Sequence, residues 1–177
     1  LTDPRHGKPV VLQAYRAAGF TPDAPVVIVQ HGMGRNGDDY RDFWIEAAER
    51  HRLLIVATTF GNEAFPKPES YNNGRVLAPD GTVYPREDWV YAIPPRVVAA
   101  LRAGGVTRRP QVRLFGHSAG GQFVHRLMAT QDHSIYEAVA CGNPGWYTLP
   151  ALERPFPEGL GGIGLGPADL ARWLAYP

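Results

Sequence analysis

One cysteine, Cys141, stands in 177 residues, so the chain closes no internal disulfide and its fold rests on packing. That lone thiol leaves secreted, periplasmic and cytoplasmic placements equal. No apolar run approaches the roughly 18 residues of a membrane-spanning helix, so no span is expected. Neither sign of charge dominates: 18 Lys and Arg against 17 Asp and Glu leave a net +1. The basic residues are scattered rather than gathered into a stripe, which argues against nucleic acid as a partner. No His, Cys or Asp spacing suggests a metal site. No internal period and no low-complexity tail is present. The chain begins at Leu1 without a Met or a signal-like apolar segment. Any targeting segment is therefore expected to have been removed or left out. What remains is ordinary globular composition, read as a single domain over 1–177, enough for a core of its own.

Glycine and proline are plentiful, at 20 and 17, and they gather at 61–85 and 142–167, which read as loops. Between them, apolar runs alternate with helical patterns. Residues 10–15, 26–29, 53–57, 112–115 and 136–141 read as strands. The continuous β-branched run at 26–29 suits a strand covered on both faces. Tyr40, Phe43, Trp44, Ala47 and His51 fall at helical spacing and predict one helix with an apolar stripe, capped by Asp38 or Asp39. Another helix starts at Pro94, since a proline pair fits only a first turn, and stops at Gly104-Gly105. A third buries Phe123, Val124, Leu127 and Met128, and a short one at 167–175 turns Leu170, Trp173 and Leu174 inward. Asp80-Gly81 predicts a hairpin turn, and the whole 58–84 excursion is expected to form a site wall or lid. Alternating strands and helices predict an α/β fold, a mostly parallel sheet flanked by helices.

The stretch from Val112 to Gly121 carries the chemistry. A strand runs into Gly116-His117-Ser118-Ala119-Gly120, and a helix follows at once. This order turns the loose pattern G-x-S-x-G into a nucleophile elbow, with Ser118 strained at the strand's C-terminal end. Glycine at 116 and 120 permits the close backbone approach that such a turn needs. A serine hydroxyl needs donors for the oxyanion and a base for its proton. The amide of Ala119 is one natural donor. The amide of Met33, in the glycine-rich turn after the strand at 26–29, is the second, because both turns fall on one sheet edge. Arg35 and Asn36 either hold that turn or meet substrate. Trp146, just after a strand at the same edge, is the best candidate for an apolar subsite, with Tyr147, Phe60, Phe65 and Tyr71 beside it.

Taken together, His31-Gly-Met-Gly-Arg-Asn36, the helix with Trp44, the Ser118 elbow and Asn143-Pro-Gly-Trp-Tyr147 resemble the α/β-hydrolase superfamily. Within it they are most similar to esterases of the polyhydroxybutyrate-depolymerase and feruloyl-esterase type, over residues 9–150. The resemblance implies a serine esterase or depolymerase that needs no cofactor, acting on a small-molecule or polymeric ester through an acyl-enzyme on Ser118. It also implies a Ser, Asp, His triad in that chain order, each partner following a further strand. After the elbow only His125 and His133 remain, with Asp132 and Asp169. His125 lies nearly two helical turns from Ser118, and His133 sits at the opposite sheet edge, so neither is expected to be the base. His117 is expected to pack beside the sheet and His31 to order its own loop. The chain thus reads as the N-terminal two-thirds of a hydrolase, C-terminal strands missing, inactive alone, its triad completed by a missing C-terminal segment or a second chain. Two other readings stay open: a non-catalytic hydrolase-fold binding module, and a serine peptidase or acyltransferase using the same elbow.

Overall fold

The computed structural model describes residues 1–3 and 5–176. Five strands are present: β1 (Val11–Arg16), β2 (Val26–Gln30), β3 (Leu54–Thr59), β4 (Val112–His117) and β5 (Tyr136–Gly142). They form one sheet in the order β1-β3-β2-β4-β5. All neighbours run parallel except β1, which pairs antiparallel with β3 at one edge. Central β2 is buried at every residue, as its unbroken apolar run requires, whereas edge strand β1 is half exposed. At the other edge, β5 pairs with β4 and with no further strand among the described residues. Among those residues no helix is long and apolar enough to cross a membrane.

The helices are α1 (Gly37–Asp42), α2 (Ile45–His51), α3 (Ile93–Ala103), α4 (Ala119–Thr130) and α5 (Pro167–Leu174). The single helix expected over the Tyr40–His51 stripe is two. After Asp42 the hydrogen bonds tighten, with Trp44 N–H donating to Arg41 O, and the axis breaks there. Phe43 is consequently 74% exposed, and Ala48 is the residue α2 buries. Neither Asp38 nor Asp39 caps the first helix: it starts at Gly37, where a Cβ would collide with the Thr59 side chain, and Asn36 stands at the cap position without a side-chain hydrogen bond to the helix amides. Helix α3 starts and stops as its prolines and glycines dictate. All twelve residues of α4 are buried. In α5, Leu170 and Trp173 are half-buried, but Leu174, at the frayed end, is 65% exposed.

The 58–84 excursion, expected as a site wall or a lid, lines one side of a cavity but does not form a lid. It is a packed layer. Phe60, Phe65 and Tyr71 are fully buried; Phe60 and Tyr71 pack on Phe123 of α4 together with Tyr91, and Phe65 packs on Phe60. Gly74 at φ +69° fits against the Tyr91 ring where any side chain would overlap it. Arg126 is tied to this layer by Asn72 O and the Asn73 side chain, and to Thr148 on its other flank. The hairpin at 76–84 forms as expected, with Ala78 N–H donating to Thr82 O and Gly81 at the turn.

Candidate active site

One residue, Ser118, separates β4 from α4, and its backbone lies at φ 57°, ψ −120°. A side-chain-bearing residue there costs about 1–3 kcal/mol, so its surroundings must impose it. They do so through contacts that only glycine permits. A Cβ on Gly116 would stand 2.1 Å from Gly120 O, and one on Gly120 2.2 Å from Gln30 O. The ends of β2, β4 and α4 therefore interlock backbone to backbone. Ser118 N–H donates to Gly142 O at 2.8 Å, and Ser118 O accepts from Gln122 N–H at 3.1 Å. The serine itself is half-buried.

The loop after β2 is built differently. His31 is fully buried. Phe60 N–H donates to its Nε2 at 3.0 Å, so the ring proton sits on Nδ1, which donates to Gly32 O at 2.8 Å. The neutral ring is required, and burial, with Arg35 nearby, pushes its pKa down to about 4. Tyr71 O–H donates to His31 O at 2.6 Å, and the two rings stack at 4.6 Å. Arg35, at φ 59°, spends its guanidinium on Phe60 O and Lys67 O and lies 4.2 Å over the Tyr71 ring. This clamp sets the loop beside the serine: a Cβ on Gly32 would lie 3.5 Å from Ser118 Cβ and 3.0 Å from the Tyr40 hydroxyl. Met33, the next residue, is 47% exposed.

Nearby, Tyr40, Phe43, Trp44, Phe115 and His117 line a cleft of about 330 Å³ whose lining includes neither Ser118 nor residues 31–36, with the Tyr40 hydroxyl 2.8 Å from His117 Nδ1. The sequence alone shows Tyr40 only as one member of an apolar stripe. On the other flank Trp146 is 41% exposed, its ring 4.4 Å from the Arg126 guanidinium and its carbonyl accepting from Gln122 Nε2. Phe60, Phe65 and Tyr71 do not join Trp146 in lining a subsite, because they are core. A larger cavity, about 810 Å³, is lined by His6, Lys8, Lys67, Arg75, Leu77 and Phe156 among others, and includes neither Ser118 nor residues 31–36.

His125 is buried. Its Nδ1 donates to Gly121 O at 3.0 Å while its Nε2 accepts from Thr148 N–H at 3.0 Å. Burial lowers its pKa to about 4, as for His31. Both ring nitrogens are thus occupied away from Ser118. His133 reaches Arg172 O at the far edge of the sheet. The Asp132 carboxylate accepts from Ser134 N–H, and Asp169 is held by Arg86, which keeps both carboxyls below their usual range.

No protein-family model and no curated protein sequence matches the chain. Solved structures do. Over 100% of its length the chain is similar to LpqC, a poly(3-hydroxybutyrate) depolymerase from Bordetella parapertussis, with TM-score 0.97 and 57% identity. Poly(aspartic acid) hydrolase-1 from Sphingomonas sp. KT-1 matches 96% of the chain, with TM-score 0.92 and 33% identity. The chain belongs to the α/β-hydrolase superfamily. It spans 61% and 64% of the lengths of those two proteins. An acetyl xylan esterase from Aspergillus awamori shares the fold at 12% identity and TM-score 0.58, over 78% of this hydrolase-fold chain and 49% of its own.

Proposed function

We propose that this chain carries the nucleophile half of a serine hydrolase acting on carboxylic esters, polyesters and aromatic acid esters among them. The observation that carries the reading is the strained backbone of Ser118 directly beside the Gly32 loop. Ser118 Oγ attacks the ester carbonyl. The amides of Met33 and Ala119 hold the oxyanion, and the alcohol leaves to give an acyl-enzyme that water resolves. The base and its acid come from sequence beyond Pro177 or from a second chain, since His31 and His125 have both ring nitrogens engaged elsewhere. No cofactor enters these steps. Trp146, exposed beside the first turn of α4, contributes apolar surface for substrate. Arg35 acts through the loop it braces. Likeness to the depolymerase supports an ester substrate. Likeness to a poly(aspartic acid) hydrolase favours, as a second reading, cleavage of an amide backbone by the same serine.

Labelling with a fluorophosphonate tests this on two proteins, the 177-residue chain and the chain continued along its reading frame. The continued chain should label at Ser118, Ser118→Ala should not, and the short chain should react slowly at most. Ester turnover at enzyme-like rates by the short chain would overturn the placement of the base. A continued chain that leaves Ser118 unlabelled would overturn the nucleophile. Paired ester and amide substrates then separate the two substrate classes.

A further inference from the structure

The hydroxyl of Tyr40 occupies a position that its apolar neighbours do not explain. It belongs to an aromatic cleft with Phe43, Trp44 and Phe115, where a phenylalanine would pack as well. Instead its oxygen reaches a spot shared by the Ser118 turn and the loop after β2. A methyl group on Gly32 would touch the Tyr40 hydroxyl at 3.0 Å, Ser118 Cβ at 3.5 Å and His117 O at 3.8 Å. Gly32 immediately precedes the Met33 amide. The phenol oxygen therefore borders the same small hollow in which a substrate carbonyl oxygen would sit.

A phenol has one hydrogen to give and lone pairs to receive. Tyr40 is paired with His117 Nδ1 at 2.8 Å. When that nitrogen carries the proton, His117 donates to the phenol oxygen, and the phenol hydrogen remains for a second acceptor. A carbonyl oxygen gaining negative charge at Gly32 is such an acceptor. We propose that the Tyr40 hydroxyl is a third oxyanion donor, and that His117 is the positioning residue that aims it. The assignment rests on Ser118 being the nucleophile. It differs from the two amide donors in being removable without touching the backbone.

The test uses the continued chain, with p-nitrophenyl butyrate as substrate and fluorophosphonate labelling of Ser118 run in parallel. Tyr40→Phe keeps the ring and should lower kcat about 100-fold, the usual loss for one oxyanion donor, with KM within about twofold. A trifluoromethyl ketone, whose adduct with the serine carries an oxyanion, should lose affinity by a similar factor, while binding of the butyrate product should not change. His117→Leu should lower kcat less, and should add little in the Tyr40→Phe background because the pair acts as one unit. Unchanged kcat in Tyr40→Phe with Ser118 still labelled overturns the Tyr40 role alone. A rise in KM with kcat intact also overturns it, making Tyr40 a substrate wall. An unlabelled Ser118 overturns the hydrolase reading, and this proposal falls with it.

Discussion

Two turns meet at the C-terminal edge of the sheet, and they are held by opposite means. The turn at Ser118 is shaped by missing side chains: Gly116 and Gly120 let three backbone segments interlock. The loop at 31–36 is shaped by its own His31 ring and by groups from far along the chain, the Phe60 backbone amide 29 residues away and the Tyr71 hydroxyl 40 residues away. The first is a steric device, indifferent to proton concentration. The second depends on a buried imidazole staying neutral. Rigidity of the first should therefore survive conditions that loosen the second.

The largest expected effect breaks the first device. Gly120→Ala sets a methyl group against Gln30 O and His31 O, backbone atoms that cannot rotate away. The loss should reach about 5 kcal/mol, most of the stability of an ordinary domain. Urea unfolding, or failure to recover folded protein, reads it. Gly145→Ala is the control, since its Cβ would meet only Gln122 Nε2 at 3.6 Å. If Gly120→Ala folds with an unchanged urea midpoint, the interlocking account is wrong.

Acid should break the second device while sparing the first. His31 has a folded pKa of about 4 against an ordinary 6.5, so between those values the unfolded chain binds the extra proton. Stability from this group is complete above pH 6.5 and is lost as pH falls toward 4. The slope is up to about 1.4 kcal/mol per pH unit, about 3 kcal/mol in all. His125 adds a term of the same sign in the same window. His125→Gln, whose side-chain oxygen can still accept from Thr148 N–H, isolates the His31 part. Hydrogen exchange, corrected for intrinsic rate, should quicken at the Phe60 amide before the Ser118 amide. Equal quickening at both would show that the two turns open as one unit.

Tyr71→Phe sharpens the contrast without acid. It leaves His31 O buried without its 2.6 Å donor, while stacking on His31 is retained. A loss of about 2 kcal/mol is expected from urea unfolding, together with faster exchange at Phe60. In the continued chain, Ser118 labelling should slow as the Gly32 loop loosens. Full labelling speed would separate that loop from the serine's reactivity.

The same contrast explains what could be read in advance. Strands β2 to β5 announce themselves by short apolar runs, and the Ser118 turn by glycines two residues either side of it, because both depend on neighbours in sequence. The break between α1 and α2 was hidden: Tyr40, Phe43 and Trp44 keep helical spacing although the sheet leaves Phe43 in solvent. The burial of Phe60, Phe65 and Tyr71 was hidden too, since a proline- and asparagine-rich stretch gives no periodicity to show that it packs on Phe123. The acceptor role of His125 was hidden because it depends on Thr148, 23 residues away. Tyr40 escaped notice for a like reason, its partner His117 lying 77 residues on.

The smallest effect bears on the serine itself. Its φ of 57° is imposed by the interlocked glycines, so strain is held in the native state whatever the side chain does. Ser118→Ala keeps a Cβ and should leave that strain in place. Ser118→Gly removes it, at the expense of a more flexible unfolded chain, and should raise the unfolding free energy read from urea denaturation by about 1 kcal/mol relative to Ser118→Ala. Neither variant should label with the fluorophosphonate. If glycine and alanine prove equally stable, the turn holds no strain at residue 118, and its shape then needs no cause beyond the hydrogen bond from Ser118 N–H to Gly142 O.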